Sequence, residues 1–209
     1  RPDAGGAERN YTIGVPRVNL SPIVSRRSLA PAALFAALVA LGIASRFAQD
    51  VCPWIPPNFH AVAGTALFAG FLFRSRAVAC AVPLVTMLIS DRWFGGYEMG
   101  VMIAVYGSLL VPALLGEWLA RRLAPLRVVG ASLVSSTLFF LVTNLAVWAT
   151  WYPHTAAGFA RCYMRALPFF GYTLSGDLVF ACGLFGLYCL VASRTALVSR
   201  RAAAVSVRA

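Results

Sequence analysis

Between Asn144 and Asp177 the chain gathers an amide, several indole and phenol rings, a histidine, two arginines and a carboxylate: Asn144, Trp148, Trp151, Tyr152, His154, Arg161, Tyr163, Arg165 and Asp177. Amides and carboxylates place hydrogen bonds, guanidiniums meet anions, and indoles offer flat apolar faces to a ring. Asn58 and His60 stand at the end of a proline-rich run, CPWIPPNFH, and Asp91 stands in SDRWFGGYE. This is the chemistry of binding. No Ser-His-Asp order, glycine-rich phosphate loop or metal-protease helix accompanies it, so no enzyme is expected. His60, His154, Asp91 and Asp177 are metal-ligand types without a metal motif's spacing, so no metal is expected either, and no cofactor can be named.

The elements that must position these groups follow from composition. Hydrophobic residues make up 60% of the chain and charged residues 12%, about half the charged share of a soluble domain. An all-α integral membrane protein is the class this implies. Six apolar runs, near 29–47, 59–73, 77–90, 99–120, 128–150 and 173–193, approach the ~20 residues that cross a bilayer as a helix. The second and third are short. Residues 1–28 form a polar N-terminal tail, 29–193 the six-helix transmembrane domain, and 194–209 a basic C-terminal tail. A secretory signal in the first run, with Gly42-Ile43-Ala44 as its cleavage site, is the weaker reading of that segment.

Charge placement sets the topology. All 18 basic residues are arginine and the net charge is +11. With six spans and an inside N-terminus, Arg46, Arg92, Arg161 and Arg165 fall outside and the other fourteen inside, a strong positive-inside bias. Both termini are thus expected in the cytoplasm of a bacterium, with the protein multi-pass in the inner membrane. The lipid bilayer then accounts for the basic surface, and no nucleic acid is needed.

The outer connections carry the polar groups already named, and helical spacing extends them inward. Thr137, Leu141, Asn144, Trp148 and Trp151 form a stripe down span five, Glu98, Met102 and Tyr106 share a face of span four, and Asp177, Ala181, Leu184 and Tyr188 a face of span six. Over 156–167, Phe159, Tyr163 and Leu167 oppose Arg161 and Arg165, and Pro168 is expected to end this short amphipathic outer helix, which lies on the surface or closes over a cavity as a lid. Arg161 or Arg165 can pair with Asp91 or Asp177, or with an anionic solute. Of five cysteines, Cys52 and Cys162 fall outside, where a disulfide is open to them; Cys80, Cys182 and Cys189 sit within spans as small hydrophobes. Ala32, Ala36, Ala40 and Ala44 recur every fourth residue, a flat face for another membrane subunit; the N-terminal tail is a second place for such a partner.

Longer motifs carry a resemblance. PPNF at 56–59, Ser90-Asp91, Thr143-Asn144 with Trp148, and the run from Cys162 to Asp177, CY-x3-LPFF-x2-TL-x-GD, resemble an uncharacterised family of bacterial membrane proteins given a transport label, over roughly residues 30–192. That family is similar in six-helix layout and outward polar pocket to the substrate-binding S components of energy-coupling-factor vitamin transporters. His60 departs from its pattern, where a small hydroxyl residue is commoner. The resemblance implies a solute-binding transport subunit: Asn144, Trp148, Tyr163 and Asp177 contact a small ring-bearing or polar solute, with Asn58, His60 and Asp91 around it. The alternative is a structural accessory subunit of a larger membrane complex.

Overall fold

The computed structural model describes residues 30–96 and 98–206, with side chains described from 31 to 195. The N-terminal tail, with its expected partner contact, and Tyr97 lie outside the described residues. Seven helices follow in order: α1 (Ala30–Val51), α2 (Val62–Leu72), α3 (Arg76–Phe94), α4 (Met99–Ser108), α5 (Leu110–Arg121), α6 (Pro125–Trp151) and α7 (Ala156–Ser206). No strand occurs among the described residues. Only Leu109 separates α4 from α5, and together they make one apolar stretch. Among the described residues, five stretches are long and apolar enough to cross a membrane: Pro31–Val51, Arg76–Phe94, Met99–Arg121, Pro125–Trp151 and Ala156–Thr195.

The second expected span is different in kind. Helix α2 has 11 residues, roughly 16 Å of rise against a hydrocarbon core of ~30 Å. Instead of facing lipid along its length, it is enclosed: every residue from Val62 to Gly70 is buried. Its small residues allow this, because they let α1, α3, α5 and α7 close around it. The main core forms here, with Leu67 and Phe68 of α2 meeting Val82, Leu119, Ala181 and Phe185. Outward, Leu88, Ile89, Ile103, Leu145, Leu187 and Leu190 are exposed on the bundle surface. Such an exterior on helices of spanning length is compatible with a multi-pass membrane protein.

One boundary was misplaced by the sequence. Pro168 does not end a separate amphipathic helix; it lies inside α7, which runs unbroken from Ala156 through the start of the C-terminal segment. Proline forfeits a single bond to the carbonyl of Met164, and packing on both sides outweighs that loss: Tyr163 donates to the carbonyl of Leu141 at 2.7 Å, and the Phe170 ring packs tilted against Phe140 at 4.8 Å between centroids. Residues 156–167 are therefore the first turns of α7 and not an independent lid. Pro168→Ala is expected to keep the fold and melt at the native temperature or slightly above it, since the alanine N–H can complete the ladder. A marked loss of thermal stability would show that the ring of Pro168 is needed for packing.

The alanine face of α1 points away from the bundle: Ala32, Ala36, Ala40 and Ala44 are all exposed. All five cysteines are free. Cys162 is buried and its Sγ lies 3.5 Å from the carbonyl oxygen of Asn144, so the possible link from Cys52 to Cys162 is not made.

Candidate functional site

A cavity of about 310 Å³ lies among α1, α3, α4, α6, α7 and the connection that enters α2. One side is polar, built by Arg46 and Gln49 of α1 with Asn58 and His60 of the connection. The aromatic part of the lining is Phe139 and Phe140 of α6 with Phe169 and Phe170 of α7. Thr143 and Asn144 stand one turn along from the α6 rings, and Thr173 one turn along from the α7 rings, while Met87, Val101, Val105 and Leu109 complete the wall.

The proline-rich connection is held inward by named contacts. Gln49 donates through Nε2 to the carbonyl of Pro56 at 3.0 Å, and the Ala61 N–H donates to Ser45 Oγ at 2.9 Å. Asn58 takes a positive φ of 64° at the turn, a conformation that asparagine tolerates better than most residues. Gly176 of α7 has no side chain where the backbone of Phe59 and His60 passes, so the strand of chain can lie against the helix; a Cβ there would stand 3.1 Å from His60 N. His60 Nδ1 is buried with no hydrogen-bond partner. A buried donor or acceptor left unmatched costs about 1–3 kcal/mol, which points to a group other than this chain as its partner.

Arg46 supplies the charge of the polar wall. Its Nη1 lies 2.7 Å from Asp91 Oδ1 and donates to Ser90 Oγ at 2.5 Å, and Met87 Sδ is 3.0 Å away. Tyr106 donates to the other carboxylate oxygen of Asp91 at 2.9 Å, and the guanidinium lies over the Phe94 ring at 5.5 Å. Three helices, α1, α3 and α4, are thus pinned by one ion pair behind the cavity wall.

Of the seven residues singled out from sequence, Asn58, His60 and Asn144 line the cavity. Asn144 spends its Nδ2 on the carbonyl of Phe140 at 2.7 Å, which fixes the amide and leaves Oδ1 as its acceptor. Asp91 stands behind the wall through Arg46. Trp148, Tyr163 and Asp177 are not among the lining residues. Trp148 donates to the carbonyl of Pro153 at 3.2 Å and packs its ring on His154 and Phe159, clamping the turn between α6 and α7. Tyr163 packs on Phe140 and so braces an aromatic wall residue from behind. Asp177 is buried beneath, accepting from Ser136 at 2.6 Å. Neither Arg161 nor Arg165 pairs with Asp91 or Asp177: the ion pairs among the described residues are Arg46 with Asp91 and Arg76 with Glu117, and Arg161 and Arg165 are both exposed.

Sequence reasoning passed over Arg46, Gln49, Thr143, Thr173 and the four phenylalanines. Arg46 had a signal, since it is a charge five residues inside the end of an apolar helix, and such a charge faces protein or a wet cavity. Phe169 and Phe170 belong to the LPFF motif, but nothing in the motif distinguishes a ligand wall from core. The α6 stripe was out of register: Thr137 and Leu141 are exposed, and the inward face carries Ser132, Ser135, Ser136 and Thr143.

The model of a family of unknown function (DUF6580) matches residues 27–202. The chain belongs to DUF6580. No curated protein and no solved structure matches it. The DUF6580 match takes in the whole of the cavity, the ion pair behind it and the buried Asp177 below it.

Proposed function

We propose that this protein is a solute-binding subunit of a membrane transporter, holding one small amphipathic solute between a polar and an aromatic wall. Its polar end meets Arg46, Gln49, Asn58, His60 and the amide oxygen of Asn144; a flat apolar end lies among Phe139, Phe140, Phe169 and Phe170. The observation that carries this is a cavity of about 310 Å³ lined by both polar and aromatic side chains, a volume at the lower end of small-molecule sites. The unpartnered His60 Nδ1 beside it supports the same reading. In this proposal α2 counts as the second of six spans, both termini face the cytoplasm, the cavity opens outward from a bacterial inner membrane, and the layout resembles an S component of an energy-coupling-factor transporter. Energy for transport then comes from other chains, and the exposed alanine face of α1 is where one of them would dock.

The experiment is a thermal-shift screen of the purified full-length protein against ring-bearing polar metabolites. At least one is expected to raise the unfolding midpoint, and Asn144→Ala and His60→Ala should weaken its binding by tenfold or more, as removal of a buried hydrogen-bond partner worth about 1–3 kcal/mol implies. The exposed alanine face also favours a second reading, a structural accessory subunit of a larger complex. Copurification in fixed ratio with such a complex, with no stabilising solute, would replace the first reading by the second.

A further inference from the structure

We infer that Asp177 and the serines facing it from α6 form a binding site for a small alkali cation, with sodium as the natural candidate. The starting point is a buried carboxyl: Asp177 is 3% exposed and belongs to neither ion pair among the described residues. Its hydrogen-bond partner is Ser136, whose Oγ lies 2.6 Å from Asp177 Oδ2 and 2.9 Å from the carbonyl oxygen of Ser132. A hydroxyl has one proton to donate. With Asp177 ionised, whichever oxygen receives that proton leaves the other facing oxygen at hydrogen-bond distance, an arrangement that either a bound cation or a proton on Asp177 resolves.

The neighbouring serines carry the argument further. Hydroxyls in apolar helices ordinarily satisfy themselves on a carbonyl one turn back. Thr86, Ser90, Ser108, Thr143 and Thr173 all do so, and Ser45 and Thr65 bond the carbonyl three residues back. Among the buried hydroxyls of the described residues, Ser132 and Ser135 alone lack any partner. They are 2% and 3% exposed; Ser132 lies one helical turn from Ser136 on the same face of α6, and Ser135 is the neighbour of Ser136 in the chain. The two hydroxyls that break the rule thus lie within one helical turn of the serine that meets the buried Asp177 carboxyl.

Ligand chemistry selects the occupant. Every donor is an oxygen, which suits a hard cation and gives a soft transition metal no thiolate or imidazole. The site holds a single carboxylate, so a monovalent ion brings the buried charge to zero, whereas a divalent ion would leave an uncompensated positive charge in a low-dielectric interior. The cavity is close by along the helices: Thr173 and Phe140, each one helical turn from Asp177 and Ser136 respectively, are among its lining residues. The inference stands on these groups alone and does not depend on the cavity taking a solute.

The test uses the purified full chain in detergent, with sodium chloride exchanged for choline chloride at constant ionic strength. Sodium is expected to raise the unfolding midpoint saturably, and equilibrium dialysis with radioactive sodium should show a single saturable class of site. Asp177→Asn should abolish both effects. If that variant does not fold, the double variant Ser132→Ala with Ser135→Ala, which alters no charge, should weaken sodium binding by tenfold or more. Equal midpoints in sodium and choline, with no saturable uptake of the isotope, would overturn the site and leave Asp177 carrying a proton. Full retention of sodium binding by the double serine variant would also overturn it. Because the readout is sodium and not a metabolite, either result leaves the solute screen to be judged separately.

Discussion

Asp91→Ala is expected to lower the unfolding midpoint by about 10 °C. The carboxylate and the guanidinium of Arg46 are 8% and 10% exposed, so neither can recover its hydration when the other is removed. Breaking a buried pair by deleting one partner costs about 3–5 kcal/mol, because an uncompensated charge stays behind, and a protein of this length shifts by about 2–4 °C per kcal/mol. The loss spreads over three helices, since Tyr106 of α4 also donates to Asp91 and Met87 and Ser90 of α3 hold the same guanidinium nitrogen. Asp91→Asn, which keeps an acceptor for Tyr106, should fall between the two. Replacing both partners by apolar residues, Arg46→Met with Asp91→Leu, should restore most of the stability while abolishing solute binding, because the polar wall loses its cation. Differential scanning fluorimetry of the four proteins decides this. A shift below about 2 °C for Asp91→Ala would place the pair in a well-hydrated vestibule, where ion pairs contribute about 1 kcal/mol or less.

The class of the protein was legible in its composition, because 12% charged residues cannot cover a soluble fold, and the positions of most helices followed from apolar length alone. The failures have particular causes. Length and hydropathy treat α2 as a short span; what encloses it is the smallness of Ala63, Gly64, Ala66, Ala69 and Gly70, a property that only matters once neighbours are present. Pro168 is a strong stop signal in isolation, yet one lost bond weighs little inside a helix held at both ends. On α6 the difference between Thr137 and Ser136 as the inward residue is one position, and a pattern stepped at 3.5 residues drifts away from a helix of 3.6 within a few turns. Asn58, His60 and Asn144 were found because an amide or imidazole near an apolar helix is conspicuous. Arg46 was missed because the topology rule counts arginines at helix ends as interfacial, and counting does not ask which way a side chain turns.

Gly70→Ala and Gly116→Ala should each destabilise the fold by about 2–3 kcal/mol, and the pair together should prevent recovery of folded protein. Helices α2 and α5 meet backbone to backbone at these two residues. A Cβ on Gly70 would run into the carbonyl oxygen of Ala113 and stand 2.8 Å from its carbon; one on Gly116 would run into the carbonyl oxygen of Leu67 and stand 2.7 Å from Phe71 N. Each obstacle is main chain, so no rotamer change relieves it, and the helices must separate. Overpacking of this kind costs about 1–3 kcal/mol where side chains can adjust, and the upper end applies where they cannot. The separation would also open the core around Leu67 and Leu119 and move α2 relative to α7, where Gly64 packs on Phe180. Since the connection bearing Asn58 and His60 leads directly into α2, solute affinity should fall together with stability. Gly107, Gly130, Gly183 and Gly186 are internal controls, because a Cβ at each meets nothing within 4 Å; alanine there should be neutral or should stabilise its helix by about 0.5–1 kcal/mol. If Gly70→Ala melted with those controls, α2 would not be clasped by α5, and the enclosed short helix that shapes the cavity would have to be placed elsewhere.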